Sequence, residues 1–374
     1  MGIFRRPRET PSAVSPAISE FWEWWAQARP DVEASLSAVP DTPEALLGDG
    51  EPEPGESERG ESEPGESGLS AEIMEELSRR VHRIHPDLQW EIGGVEGRAP
   101  TLTVSGAGEP ELRGLAERWF RAAPTGDAAA GWEFHPARPA DPEMLGQELQ
   151  LGDHEFDLEY VRFGMRADQF RGRVDIVAYH PDFLFVSEEH QVAVALHVLH
   201  WALGEDDVAR WVGEVKISTE EPVDALPPAV LPAVVEQIVE DFREPTWLSG
   251  EGRTPRGHPA QFGIRFPVHR QDHPLADVHV EVSVPYQHAN PDRLPVEPSA
   301  SALRAFEKKI AALPGAVLVV RQTGDGLRVF HLYADPDSGV LAELDQLAAG
   351  WSEGKAKVAS TPDPGWRALA PFQP

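Results

Sequence analysis

Apolar residues recur along this chain at two spacings, and the changes from one to the other mark the expected elements. Near the start, Phe21-Trp-Glu-Trp-Trp25 is followed by Ala26, Val32, Leu36 and Val39 at roughly helical intervals. Trp22, Trp25 and Ala26 share a face of that helix and Glu23 turns away, so the cluster reads as packing a helix onto a sheet rather than seating a planar ligand. Ser70 then stands as an N-cap before Ile73, Leu77, Val81 and Ile84, one stripe of a second helix. After His85-Pro86 the period drops to two, through Leu88, Trp90 and Ile92 and then Leu102 and Val104. A helix over about 109–122 and a strand over 131–136 complete this first α+β unit.

A second unit begins near Glu143. Strands are expected over 156–165 and 173–179, and a helix over 188–203, capped by Ser187 and stopped by Gly204. The apolar face of that helix centres on Val192, Leu196, Leu199 and Leu203. A short helix through Val208 and Trp211, a strand over 212–218 and a helix over 231–242 follow. Beyond these, Phe262, Ile264, Phe266 and Val268 alternate, as do Val278, Val280, Val282 and Val284. A helix over 299–313 buries Leu303, Phe306 and Ile310. Two apolar runs, 317–320 and 327–333, flank Gly324-Asp-Gly326, a strong hairpin signal. A helix through Val340, Leu341, Leu344 and Leu347 and a strand over 355–360 close the chain.

The expected fold class is therefore α+β, in two or three small sandwich domains. A flexible arm occupies 1–17, an amino-terminal domain 18–140, a middle domain 141–245, a linker 246–257 and a carboxy-terminal domain 258–374. Residues 49–68 interrupt the first domain: Gly-Glu-Ser recurs at Gly55, Gly60 and Gly65, and one arginine faces eight acidic residues. So polar a stretch cannot bury enough apolar area to offset its ordering entropy, and it reads as a disordered acidic insert.

Charge and cysteine usage narrow the functional classes. The formal net charge is -30, with 63 acidic against 33 basic residues. Such a surface repels nucleic acid and anionic membranes and favours a basic partner. The absence of cysteine excludes disulfides, thiolate metal sites and a cysteine nucleophile. No apolar run follows the basic start Met1-Gly-Ile-Phe-Arg-Arg-Pro-Arg8, and a cytoplasmic location is expected.

Candidate chemistry is sparse. His190, His197 and His200 lie on the 188–203 helix, where adjacent-turn histidines can grip a metal, although no His-Glu-x-x-His pattern accompanies them. His258, His269, His273, His279 and His288 flank the strands of the last domain and read as solvated loop residues. The pairs Asp153 with Asp157 and Asp206 with Asp207 have the spacing of a solvated face as much as of an acid and base. Gly106-Ala-Gly108 lacks the third glycine of a dinucleotide loop and precedes Glu109. Arg265, Arg321 and Arg328 sit on strands, where each can bind a carboxylate ligand or pair with a neighbouring acid.

Residues 262–372 resemble the domain of unknown function 695 family (DUF 695). The shared pieces are Asp292-Arg-Leu-Pro295 before a helix bearing Glu307, then Thr323-Gly-Asp-Gly-Leu-Arg328, Phe330, Tyr333 and the closing Asp363-Pro-Gly-Trp366. Residues 18–140 are similar in style to the amino-terminal parts of other bacterial proteins. The DUF 695 resemblance implies a ferredoxin-like antiparallel sheet under two helices and a protein-binding regulator; it carries over no catalytic residue and no cofactor. The expected function is a non-enzymatic protein-binding or regulatory module with a basic protein partner, in its sharpest form neutralising a basic toxin or modulating a nuclease. The alternative is a metal-dependent hydrolase using His190, His197 and His200.

Overall fold

Aromatic side chains set the architecture of the amino-terminal part. In the computed structural model, which describes residues 14–36, 46–47, 70–93 and 99–372, helix α1 (Val14–Leu36) buries Phe21 and Trp25 almost completely. Trp22 stacks on Trp119 at 4.8 Å, and its indole donates to the Trp119 carbonyl at 3.0 Å. Trp25 meets the edge of Trp132 at 4.9 Å. The cluster is thus core, although Ala26, expected on the same face, is exposed. Helix α2 (Ala71–Ile84) starts where Ser70 Oγ accepts from the Ile73 amide, and it buries Leu77, Val81 and Ile84. Strands β1 (Leu46–Leu47), β2 (Gln89–Gly93), β3 (Thr101–Ser105) and β4 (Glu133–His135) make one sheet in that order, with β3 and β4 parallel. Helix α3 (Arg113–Arg121) supplies Trp119. The first thirteen residues and the acidic insert 49–68 lie outside the described residues, while residues 14–17 belong to α1 rather than to an arm.

Residues 139–374 form one compact unit and 1–138 another, so the middle and carboxy-terminal regions are not independent of each other. The middle region pairs β5 (Glu148–Leu151) with β6 (His154–Asp157), and builds a three-stranded sheet from β7 (Arg162–Asp168), β8 (Arg173–Tyr179) and β9 (Val212–Ser218). Helices α4 (Glu188–Leu203), α5 (Glu205–Trp211) and α6 (Leu231–Phe242) complete its core, which centres on Phe163, Ile176, Val198, Leu199 and Leu231. The strand expected over 156–165 is broken by a 3₁₀ turn at Leu158–Tyr160.

Six antiparallel strands form the last sheet. Their spatial order is β10 (Thr246–Arg253), β11 (Pro259–Phe266), β13 (Ala316–Gly324), β14 (Leu327–Ala334), β12 (Val278–Pro285) and β15 (Lys357–Pro362). The expected linker is therefore mostly β10, paired with β11 from Thr246 opposite Phe266 to Arg253 opposite Pro259. Every residue of β10 is exposed, so this edge strand is held by its ladder and has no buried face to imprint an alternation on the sequence. Between β13 and β14, Asp325 and Gly326 both take positive φ, as a tight hairpin turn requires.

Helices α7 (Ser299–Ala311) and α8 (Val340–Ala349) cover one face of this sheet through Leu303, Phe306, Ile310 and Leu344, which pack on Val280, Val282, Phe330 and Leu332. The opposite face is also covered. Val317, Val319 and Tyr333 pack there against Trp366 and Leu369 of the carboxy-terminal segment. A single sheet layer under two helices was expected; the chain end adds a third layer. Among the described residues no helix is long and apolar enough to cross a membrane.

Trp25→Ala should destabilise the amino-terminal unit by about 3–5 kcal/mol, because a large buried ring leaves a cavity that its aromatic neighbours cannot fill. Urea denaturation followed by tryptophan fluorescence measures this, and a change below about 1 kcal/mol would show that the cluster is not core.

Candidate functional site

Helix α4 carries the three histidines singled out from the sequence and does not gather them. At a rise of 1.5 Å per residue, His190 lies about 10 Å along the axis from His197. His190 Nδ1 faces Ser187 Oγ at 3.2 Å, beside the N-cap. His197 Nδ1 donates to the Ala193 carbonyl at 2.7 Å, within its own helix. His200 is buried, and its ring belongs to the packed side of the helix. Among the described residues, the metal-competent group of three is elsewhere. His190, His197 and His200 do not form a metal-competent group among the described residues.

The helix is also rotated relative to its expected orientation. Its buried side comprises Val194, Ala195, Val198, Leu199 and Ala202, while Val192 and Leu196 are each 39% exposed. A wheel weighted towards the large aliphatics overlooks the small Ala195 and Ala202, which are buried in the core. Val192 and Leu196 stand one turn apart on the outer side. Leu184 and Phe185, at 66% and 78% exposure, lie in the segment just before the helix, which Gln191 Nε2 ties to the first turns of α4 by donating to the carbonyls of Phe183 (2.6 Å) and Val186 (3.2 Å). Glu188 and Glu189 are exposed and Asp182 is half-buried in the same stretch of chain.

The second histidine group divides. His258 pairs with Asp325 at the hairpin turn, and His288 Nδ1 lies 3.1 Å from the buried Ser299 Oγ. His273 stacks on Trp366 at 6.1 Å. His279 is buried on β12, where its Nε2 lies 3.1 Å from Nδ1 of His331 on β14. Glu281, two residues along β12 and in register with His331, completes a three-residue group. Sequence reasoning missed Glu281 and His331. The available signal was His279-x-Glu281 at strand spacing, which becomes informative only once β14 is placed beside β12.

Next to this group the closing Asp363-Pro-Gly-Trp366 acts as a clasp. Tyr333 Oη donates to Asp363 Oδ2 at 2.5 Å, and the Tyr333 and Trp366 rings stack at 4.1 Å. Trp366 Nε1 donates to the Ala276 carbonyl at 2.8 Å. Burial pushes the Tyr333 phenol far above its usual range, reinforced by the Asp363 carboxylate. Burial works against the Asp363 charge, yet hydrogen bonds from Tyr333 and the amides of Ala368 and Arg367 hold its carboxyl below the usual value.

The strand arginines part company as well. Arg321 and Arg328 both pair with Glu307, and Arg321 lies over the Trp247 ring at 4.6 Å, so these two are structural. Arg265 instead lines a cleft of about 280 Å³ between the middle sheet and the six-stranded sheet, together with Arg171, Arg173 and His269. Arg173 donates to the Val212 carbonyl at 3.2 Å, and burial pulls its pKa below the ordinary arginine value. Asp175 in the same cleft pairs with Arg166 at 2.9 Å.

With these features in place, comparison with known proteins adds no relative: no family model matches the chain, and no curated protein or solved structure matches it.

His269 gives the cleft a pH signature. Burial lowers its pKa from 6.5 to about 4, with Arg173 and Arg210 acting in the same direction and Asp272 and Asp207 against it. The unfolded chain then takes up the proton first, so stability is complete above about pH 6.5 and declines as the pH falls towards 4. Urea midpoints measured across that range should drop for the wild type and drop less for His269→Gln. A residual slope should persist in the variant, because burial also lowers His273. Identical pH profiles for the two proteins would refute the assignment.

Proposed function

We propose that this chain is a non-enzymatic binding module that docks a basic protein on the outer face of α4. The observation that carries this reading is the solvent exposure of the apolar side chains Leu184, Phe185, Val192 and Leu196, on α4 and the segment before it, with Asp182, Glu188 and Glu189 interspersed along the same stretch. Exposed large apolar side chains close together in sequence and mixed with charged residues suit a protein interface. The charge of the chain selects the partner. At -30 overall, the surface steers cations inward and repels acidic proteins and nucleic acid.

The fitting partner presents apolar side chains flanked by lysine or arginine. Neutralising a basic toxin and restraining a nuclease are two activities such docking would serve. The resemblance of residues 262–372 to DUF 695, proposed on the Thr323-Gly-Asp-Gly-Leu-Arg328 turn and the Asp363-Pro-Gly-Trp366 closure, agrees with a regulatory role and brings no reaction with it. The histidines of α4 add no competing chemistry to this reading, since His190 and His197 are each engaged within their own helix or its cap.

The test uses the full chain. A partner captured at low salt and identified by mass spectrometry should be basic. Once purified, it should bind the wild type with an affinity that falls as salt rises. It should bind the Leu184→Ser, Phe185→Ser, Leu196→Ser triple variant at least tenfold more weakly, while circular dichroism stays unchanged because the replaced side chains are solvent-facing. An acidic partner, or equal binding by the variant, would contradict the proposal.

A further inference from the structure

The face of the six-stranded sheet that lies under the carboxy-terminal segment holds a second feature, independent of the docking face on α4. Strand periodicity puts His279 and Glu281 on the same side of β12, and the antiparallel register sets His331 directly opposite Glu281 on β14. The ligand atoms of the three residues all lie within 4.8 Å of one another. His279 Nε2 and His331 Nδ1 are 3.1 Å apart, and their rings are nearly coplanar in orientation, 13° from parallel. Glu281 Oε1 is 3.9 Å from the same His331 nitrogen.

These spacings match a coordination sphere. Two imidazole nitrogens bound to one tetrahedral zinc at 2.0–2.1 Å stand about 3.3 Å apart, within a few tenths of an ångström of the spacing between His279 and His331. A carboxylate oxygen on the same ion sits at a similar separation from each nitrogen, so Glu281 must move inward from 3.9 Å of the His331 nitrogen, with no pair in the group starting more than 4.8 Å apart. Its side chain is 47% exposed and free to do so. The histidines themselves are held: His279 is 9% and His331 8% exposed, and Phe372 of the carboxy-terminal turn lies 5.3 Å from the His331 ring. The 3.1 Å contact is a hydrogen bond in which one of the two nitrogens carries a proton, so a cation that takes both lone pairs displaces that proton; Nε2 of His331 is buried without a hydrogen-bond partner.

We propose that His279, Glu281 and His331 form a binding site for a divalent transition metal of the zinc class, with two nitrogen ligands and one oxygen ligand. Water takes the fourth position on the Glu281 side, where the site opens to solvent. The mixed nitrogen and oxygen set suits zinc, or cobalt as its spectroscopic substitute, better than magnesium or calcium, which favour oxygen ligands throughout. The bound ion ties β12 to β14 directly beneath the carboxy-terminal turn.

The test starts from untagged full-length protein stripped with EDTA. Titration with Zn²⁺ by calorimetry should show one tight equivalent, and Co²⁺ should give the visible absorption of a four-coordinate site. Zn²⁺ should raise the melting temperature of the wild type. Glu281→Gln, a substitution at a half-exposed position, should weaken binding at least tenfold, and His279→Gln should abolish both the tight equivalent and the thermal shift. Circular dichroism of each apo variant checks that the fold is kept. His190→Ala with His197→Ala should leave the stoichiometry unchanged. The proposal is overturned if the stripped protein binds no Zn²⁺, or if the tight equivalent survives His279→Gln and disappears with the α4 histidines.

Discussion

Tyr333 holds the carboxy-terminal half of this molecule together. Its ring is fully buried in the six-stranded sheet, its hydroxyl is committed to Asp363, and Trp366 lies flat against it. Through those contacts residues 363–372 are drawn across the sheet face that carries Val317 and Val319. Asp363 fixes the segment further by accepting from the amides of Arg367 and Ala368, which starts the turn at Arg367–Phe372. That turn then roofs His331 with Phe372 and contributes Leu369 and Phe372 to the wall of the arginine-lined cleft. Burial of the histidine pair and closure of the cleft both depend on one clasp.

The two surfaces with chemical potential are consequently of different kinds. The outer side of α4 owes nothing to the clasp; it lies on the middle region, where Val192 and Leu196 are exposed while Ala195 and Ala202 are buried. The His279, Glu281 and His331 group is polar, recessed and dependent on the carboxy-terminal segment. In the readings proposed above, one offers area to a partner protein and the other offers lone pairs to a cation. An acidic chain suits both, because a negative potential attracts basic proteins and metal ions alike.

Much of the fold was legible in the sequence wherever one face of an element is buried. The stripe Leu77, Val81 and Ile84 marks α2, and Ser187 with Gly204 brackets α4 at the residues where it starts and stops. Strands β8 and β9 show their alternation, and Gly324-Asp-Gly326 marks the hairpin. Legibility failed where tertiary context decides. Strand β10 has both faces in solvent, so no alternation exists to read and its glycines resemble a linker. The orientation of α4 buries Ala195 and Ala202, which a pattern of large apolar residues does not register. The candidate metal group depends on the pairing of β12 with β14 across fifty residues of intervening chain, and His331 has no local feature that sets it apart. His190, His197 and His200 had a visible spacing and no shared space, because seven helical residues separate the first from the second.

The most direct test of the clasp is hydrogen–deuterium exchange of the full chain carrying Tyr333→Phe, which deletes one hydroxyl and keeps the ring. The structure predicts faster exchange at the amides of Arg367 and Ala368 and along the neighbouring stretches of β12 and β14, with α2 and α4 unaffected. Unchanged protection of Arg367 and Ala368 in the variant would contradict the view that the bond from Tyr333 to Asp363 secures the segment on which the recessed face depends.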